Sequence, residues 1–340
     1  MEILKEKTIV RLLLLACLLF LSSCETKRDS VGGSDDLIVL AAKEDRDKVK
    51  SLLSTVFNDT LLTPEPEAFY KVKFSDPSNY NALKTQTNLI IASIGDFDLN
   101  PATKLVKNLI GETKFNQTLE GSPVILSRDQ FAKNQLFMIV SGSDSSMIKD
   151  YFIENGEWIK EQYNENFDKK QSKYLIEAQH QEEKELLLLR KHGWNINLPW
   201  GWEIIKDESN FVWIGQEMPF RWLSVYWRDG NYFSKEEAMK LADSFPQEYF
   251  KSIQYNENFI SVDWVDDWFD DSAYKISGLW ESIEGAKGGP FEGYLFYDYD
   301  SDRTFYINYL VFNPDGRKAF YIRQMNLIAR TLKVWVEVEL

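Results

Sequence analysis

Ten of the eleven tryptophans in this 340-residue chain lie after Gly193. Rings of that size need a continuous apolar face to cover them, and the core of a β-rich unit is the simplest home for most of them. The local pattern agrees. Tyr274, Ile276 and Trp280 alternate with Lys275, Ser277 and Glu281, the two-residue period of a half-buried strand. Asn195 to Leu198, Phe211 to Ile214 and Arg221 to Trp227 read as further strands. Tyr294 to Tyr299 and Thr304 to Phe312 read as a hairpin across Asp300-Ser301-Asp302. Ser234 to Tyr249 has helical spacing, with Ser234 as N-cap and Glu237 three residues on, a capping-box pattern. A turn at Asn313-Pro314-Asp315-Gly316 leads into a last helix whose stripe is Tyr321, Met325, Ile328 and Leu332. The tail from Val334 to Leu340 alternates again and is expected to add an edge strand.

The first half alternates strands with helices. Leu37 to Ala41, the region of Phe69, Val72 and Phe74, Leu89 to Ile94 and Leu136 to Val140 read as strands. Glu44 to Phe57 carries Val49, Leu52, Leu53 and Val56 on one helical stripe, and Pro101 to Ile110 is a second helix with proline in its first turn. Ser145 to Arg190 is helix-like for nearly its whole length. As one rod it would run roughly 70 Å, so breaks are expected at Gly156 and at Asn164–Asn166, with His192-Gly193 as the stop. Leu186 to Leu189 are expected to pack on a core. The fold class is α+β: an N-terminal α/β-type domain over 37–145, a helical connector over 146–192, and an aromatic-rich C-terminal domain over 193–340 with an antiparallel sheet and flanking helices.

The N-terminus is of another kind. Lys5, Lys7 and Arg11 precede an apolar run from Leu12 to Leu21, too short to span a bilayer as a permanent helix and of the length of a secretory signal. Leu21-Ser22-Ser23-Cys24 resembles the bacterial lipobox, in which the cysteine thiol takes a diacylglycerol and becomes the first residue of the mature chain. Residues 1–23 are then a lipoprotein signal peptide and 24–36, polar and with Gly32-Gly33-Ser34 inside it, a flexible tether. One acyl chain holds a protein only marginally, so stable anchoring comes from the several chains such a cysteine carries. The other cysteine, Cys17, leaves with the signal. No thiol nucleophile, disulfide or cysteine zinc site remains. The formal net charge of −14 disfavours nonspecific nucleic-acid binding.

Catalytic patterns are sparse. His180 and His192 are the two histidines, neither in an HExxH, and both near a helix end, where a solvated or capping role is expected. Asp298, Asp300 and Asp302 alternate as in a calcium loop, but Arg303 and Tyr309 stand where that loop needs glycine and glutamate. Asp263, Asp266, Asp267, Asp270 and Asp271 form an acidic loop with Trp264, Trp268 and Phe269, read as exposed. Glu281 and Glu292 are the carboxylate pair that would serve glycoside hydrolysis if they lay about 5–10 Å apart. Gly285, Gly288, Gly289, Pro290 and Gly293 read as a tightly turned loop. Its functional reading is the lip of a groove formed by Trp280, Glu281, Gly288, Gly289 and Phe291.

Gly278-Leu279-Trp280-Glu281, Gly288-Gly289-Pro290-Phe291 and Tyr321-Ile322-Arg323-Gln324 resemble a family of Bacteroidota lipoproteins known only as a domain of unknown function. Pro66-Glu67-Ala68-Phe69, Phe211-Val212-Trp213-Ile214 and the strand ending Leu198-Pro199 fit the same pattern, so the resemblance runs from about Leu37 to Leu332. It implies an exported envelope lipoprotein and no catalytic residue. The second half is also similar in element order to domains of the Mog1-like and photosystem-extrinsic (PsbP-like) type, with Pro199 to Trp202 near its start. This is fold analogy and carries no function. The expected function is a membrane-anchored envelope lipoprotein that binds or assembles rather than catalyses. It would lie in the cell envelope, on the outer membrane rather than the inner. Its expected partners are the bilayer through acylated Cys24 and an envelope protein or glycan, without nucleic acid, metal or cofactor. The alternative is a carboxylate-dependent hydrolase of envelope glycans.

Overall fold

Two sheets, joined by a long helix, organise the chain. A computed structural model describes residues 27–335 apart from Met218 and Asp270. The signal segment, Cys24 and positions 336–340 lie outside the described residues.

The first sheet contains β1 (Asp36–Leu40), β2 (Lys71–Ser75), β3 (Asn88–Ile94), β4 (Val124–Arg128) and β5 (Leu136–Gly142), in the order β2-β1-β3-β5-β4. The pairs β2-β1-β3-β5 are parallel and β4 is antiparallel to β5. β3 and β5 are buried at every position, as parallel strands covered on both faces are. On one face lie α1 (Arg46–Leu53) and α3 (Ser145–Ser172), which place Val49, Leu52, Ile148, Phe152 and Tyr163 against Val39, Ile90 and Met138. On the other lies α2 (Pro101–Leu119), with Val106 and Phe115 against Leu89, Ile91 and Ile139. β4 is the strand that sequence periodicity missed.

The stretch expected to be a tether is part of this unit from Lys27 onward. Ser30 and Ser34 are buried, and the chain bridges at Asp29 to Lys133 and at Val31 to Gln86. The Ser30 hydroxyl donates to the Asn134 carbonyl at 2.8 Å, and the Thr87 amide donates to the Val31 carbonyl at 2.8 Å. Its polar residues are hydrogen-bonding groups for a sheet end, which composition cannot tell from a solvated linker.

α3 runs unbroken through Gly156 and Asn164–Asn166, contrary to the expected breaks. Gly156 is buried against Val56, and Asn166 donates to the Asn88 side chain at 3.3 Å, so both serve packing. The break comes later. Lys173–Glu177 is a single π turn, in which the Ala178 amide donates to the Lys173 carbonyl at 3.1 Å. α4 (Glu182–His192) follows and ends on Gly193 in the left-handed conformation, as expected. Of Leu186 to Leu189, Leu188 is fully buried while Leu186 and Leu187 are exposed.

The second sheet is antiparallel and half-barrel in form. It contains β6 (Glu203–Asp207), β7 (Phe211–Gln216), β8 (Phe220–Asp229), β9 (Ile253–Tyr255), β10 (Ser261–Trp268), β11 (Asp271–Ser282), β12 (Gly288–Asp298) and β13 (Arg303–Phe312). The order is β9-β11-β12-β13-β8-β7-β6, with β10 also paired to β11. α5 (Lys235–Tyr249), capped by the Ser234 hydroxyl on the Glu237 amide at 3.1 Å, covers one face over Tyr306, Phe291 and Trp280. α6 (Ala319–Ala329) and α4 cover the other over Ile307, Tyr309 and Val225. Asp263, Asp266 and Asp267 sit on a strand rather than in a loop, and Trp268 is buried with its ring stacked on Tyr294 at 3.7 Å. Lys333–Val334 pairs with Trp194–Asn195 in a separate two-stranded sheet; the alternation expected over Val334 to Leu340 lies mostly outside the described residues.

The units meet along α3 and α6. α6 lacks a side-chain cap of its own. Glu67, between β1 and β2, supplies one: its carboxylate accepts from the amides of Lys318 at 2.9 Å and Ala319 at 3.3 Å. The same carboxylate pairs with Arg317 at 3.1 Å, and Arg317 also pairs with Asp35 at 3.1 Å. Phe167 meets Phe320 edge-on, and Gln324 donates to Gln171 at 2.7 Å. Glu67→Ala removes a cap and half of an ion-pair cluster. We expect a loss of about 2 kcal/mol in urea unfolding, with Glu67→Gln intermediate. An unchanged midpoint would mean that this contact contributes nothing to the joint.

Candidate functional site

The residues expected to line a groove are dispersed. Trp280 is 2% exposed, and its Nε1 donates to the Val311 carbonyl at 3.3 Å. Phe291 stacks face to face on Tyr255 at 3.6 Å. Gly288 and Gly289 are not a loop but the start of β12, paired with Glu281 and Trp280. A Cβ on Gly289 would run into the Val311 carbonyl, so close strand packing explains this glycine. The turn itself is at Gly285. Glu281 alone of the five reaches an open cleft. It lines a cavity of about 670 Å³ beside α5, where Gln254 and Asn256 donate to its carboxylate at 2.7 and 3.2 Å.

Glu292 faces elsewhere. It is held by Lys275 at 2.8 Å and by the Tyr309 hydroxyl at 2.7 Å, on the wall of a cavity of about 290 Å³ at the α3–α6 seam. Glu281 lies opposite Gly288 and Glu292 opposite Ser277, so four strand residues separate them, roughly 13 Å along the sheet. The two carboxylates line different cavities and do not form a hydrolytic pair. The charges around Glu292 compensate one another: Lys160 with Asp59 at 2.9 Å, Lys275 with Glu292, Arg323 with Asp168 at 3.9 Å.

The histidines are structural. His180 Nδ1 contacts the Glu185 carboxylate at 3.0 Å. His192 is buried rather than solvated, with Nε2 at 2.7 Å from Asp207 and its ring 4.8 Å from Trp227. Asp298 and Asp302 stabilise the β12–β13 turn, where Asp298 accepts from the Ser301 amide at 2.8 Å and Asp302 from the Tyr297 hydroxyl at 2.6 Å. Among the described residues no three His, Cys, Asp or Glu side chains cluster as metal ligands.

A different cleft carries uncompensated charge. It lies where the α3–α6 seam reaches the π turn, with a volume of about 820 Å³. A neighbouring cavity of about 440 Å³ shares Tyr174, Ala178 and Arg221 with it. Arg221 is 9% exposed. It has five N–H donors; Nη2 reaches the Gln216 side-chain amide oxygen, Nη1 lies 3.5 Å from that of Gln324, and Nε has no acceptor among the described residues. No carboxylate of the described residues lies within 4.0 Å of it. Its guanidinium sits between the rings of Trp202 at 5.7 Å and Tyr321 at 5.2 Å. Burial lowers its pKa, against the phenols of Tyr321 and Tyr174. Lys170, on the same wall, is lowered by burial too, opposed by Asp29, and donates to Ser30 and Thr87.

Local structure explains the placement. β8 puts Arg221, Leu223, Val225 and Trp227 in one phase, and that phase faces the core. A cation in phase with an apolar strand face was the legible signal. The π turn buries Leu175 and leaves Tyr174 73% exposed. Pro199-Trp200-Gly201-Trp202 forms a turn with Gly201 at φ 83°, which buries Trp202 and leaves Trp200 72% exposed.

Residues 180–331 match a family described as "Domain of unknown function (DUF4837)". The matched segment excludes Pro66 to Phe69, so the family pattern covers less of the chain than expected. No curated protein matches the chain. Among solved structures, the chain is similar to the Saccharomyces cerevisiae Ran-binding protein Mog1p: 10% identity, 42% of this chain, 90% of that one, TM-score 0.29. It is similar to a Bacteroides thetaiotaomicron protein at 14% identity, 43% of this chain, 47% of that one, TM-score 0.27. It is also similar to LpqN, involved in cell envelope biogenesis of Mycobacterium tuberculosis, at 11% identity, 42% of this chain, 83% of that one, TM-score 0.28. Likenesses this distant assign neither activity nor partner.

Two outcomes test these assignments. Trp280→Ala leaves a cavity under α5 and is expected to cost about 3–5 kcal/mol in chemical unfolding; a cost below about 1 kcal/mol would return Trp280 to the surface. His192 is held below the ordinary imidazole value by burial, against the opposing hydrogen bond of Asp207. The unfolded chain therefore takes up a proton near about pH 6.5 that the folded chain resists. Its stabilising effect is complete above that pH and is lost as pH falls through the folded value. Urea midpoints should drop from about pH 7.5 to about pH 5.5, and less steeply in His192→Gln. Equal slopes would show that His192 does not contribute.

Proposed function

We propose that this is an envelope protein anchored in a bilayer, the outer membrane, through acylated Cys24, and that it acts by binding a ligand in the cleft at Arg221. The observation that carries the reading is the buried guanidinium, with two of its five donors used and no carboxylate beside it among the described residues. A buried cation is costly unless paired. The seam near Glu292 offers the contrast, because its charges are already paired. The separation of Glu281 and Glu292 speaks against hydrolysis by that pair. The lipobox-like Leu21-Ser22-Ser23-Cys24 supports the anchor.

Two measurements in producing cells test the reading. The native chain should incorporate palmitate and sediment with membranes, while Cys24→Ala should do neither. A photo-crosslinking phenylalanine analogue at position 174 should trap an adduct, and Arg221→Gln should abolish it. A soluble native chain with a free Cys24 thiol would overturn the anchor. An adduct indifferent to Arg221→Gln, or none at all, would overturn the binding site.

A further inference from the structure

Resting on that binding reading, we propose that the cleft takes an acidic sugar, seating a carboxylate or phosphate on Arg221 and a pyranose face on Tyr174 or Trp200.

The first part follows from donor geometry. A guanidinium presents its N–H groups in a planar fork that fits the paired oxygens of a carboxylate or phosphate. Among the described residues, Nε–H of Arg221 has no acceptor and Nη1 has only the long contact to Gln324. Lys170 adds positive charge to the same wall, although its donors already serve Ser30 and Thr87. Asp29, at the rim, is already paired with Lys173 at 3.0 Å. Glu177 lines the same cavity, so the lining holds the cations Lys170, Lys173 and Arg221 and the carboxylates Asp29 and Glu177. Neither carboxylate lies within 4.0 Å of Arg221, so removing Arg221 removes a buried cation that has no carboxylate and should not destabilise the fold.

The second part follows from what flanks the cation. Tyr174 and Trp200 line the smaller cavity together with Arg221, and both rings are largely in solvent. Each is turned outward by local backbone, one by the π turn and the other by the turn at Gly201. Large exposed rings beside a cavity offer faces to the C–H side of a sugar ring. The amides of Gln179 and Gln216 line the same wall. An amide both donates and accepts, as hydroxyl groups require.

The test uses the full-length protein in detergent and four probes: trigalacturonate, glucose 6-phosphate, maltotriose and inorganic phosphate. Calorimetric titration should show binding of trigalacturonate or glucose 6-phosphate at least about tenfold tighter than maltotriose and than inorganic phosphate. Which acid binds decides between a uronic acid and a sugar phosphate. Arg221→Gln should weaken that binding about tenfold or more with an unchanged or raised thermal midpoint. Trp200→Ala and Tyr174→Ala, at exposed rings, should weaken it without affecting folding. Equal binding of maltotriose overturns the acidic requirement. Equal binding of inorganic phosphate, or indifference to both ring variants, overturns the sugar. Absence of binding by both acids, while the position-174 adduct still depends on Arg221, overturns the acidic-sugar inference and leaves the binding reading standing. No adduct in the native chain, together with no binding of either acid, overturns both.

Discussion

The geometry of this molecule depends on the Glu67 carboxylate seated at the start of α6. A helix begins with amides that its own turns cannot satisfy, and here the acceptor comes from the other sheet. Arg317, one residue before Lys318, locks the same carboxylate and reaches Asp35 at the start of the first sheet. With α6 so placed, one of its flanks lies along α3. That seam holds Phe167 on Phe320, Arg323 on Tyr70 and Asn164, and Gln324 on Gln171. The cleft is the continuation of this seam past the last turn of α3, so its walls come from both units: Lys170 and Gln171 from one, Tyr321, Gln324 and Arg221 from the other.

Charge pairing differs between the two clefts. Near Glu292 every cation has a carboxylate in reach, and the tyrosines Tyr294 and Tyr309 are pushed up by burial beside it. Such a cluster fixes two surfaces against each other. Around Arg221 the acceptors are amides and rings, which orient a guanidinium without neutralising it. The difference is visible in contacts, and burial alone would not show it.

Much of the fold was legible in the sequence. The strands at Leu89 and Leu136, the Ser234 capping box, the Gly193 stop and the β12–β13 hairpin all follow from local chemistry, and each is found within a few residues. What failed depended on partners far away in sequence. The polar stretch before Asp36 reads as a tether until Thr87 and Lys170 are placed beside it. Gly156 and Asn164 read as helix breakers until Val56 and Arg323 fill their surroundings. Gly288 and Gly289 read as a loop because glycine marks both turns and close-packed strands. The cleft was hardest, because it needs Arg221, Lys170 and Trp200 from three distant segments. Its one local sign was the phase of Arg221 with Leu223, Val225 and Trp227.

The proposed ligand binding rests on the Arg221 Nε–H, for which the described residues supply no acceptor. Its ¹⁵N–¹H resonance in labelled protein, assigned by comparison with Arg221→Gln, reads this directly. On adding trigalacturonate or glucose 6-phosphate, the proton should move downfield and exchange more slowly with water, as a charge-assisted hydrogen bond requires. A resonance that stays in place while either acid saturates the protein would contradict it.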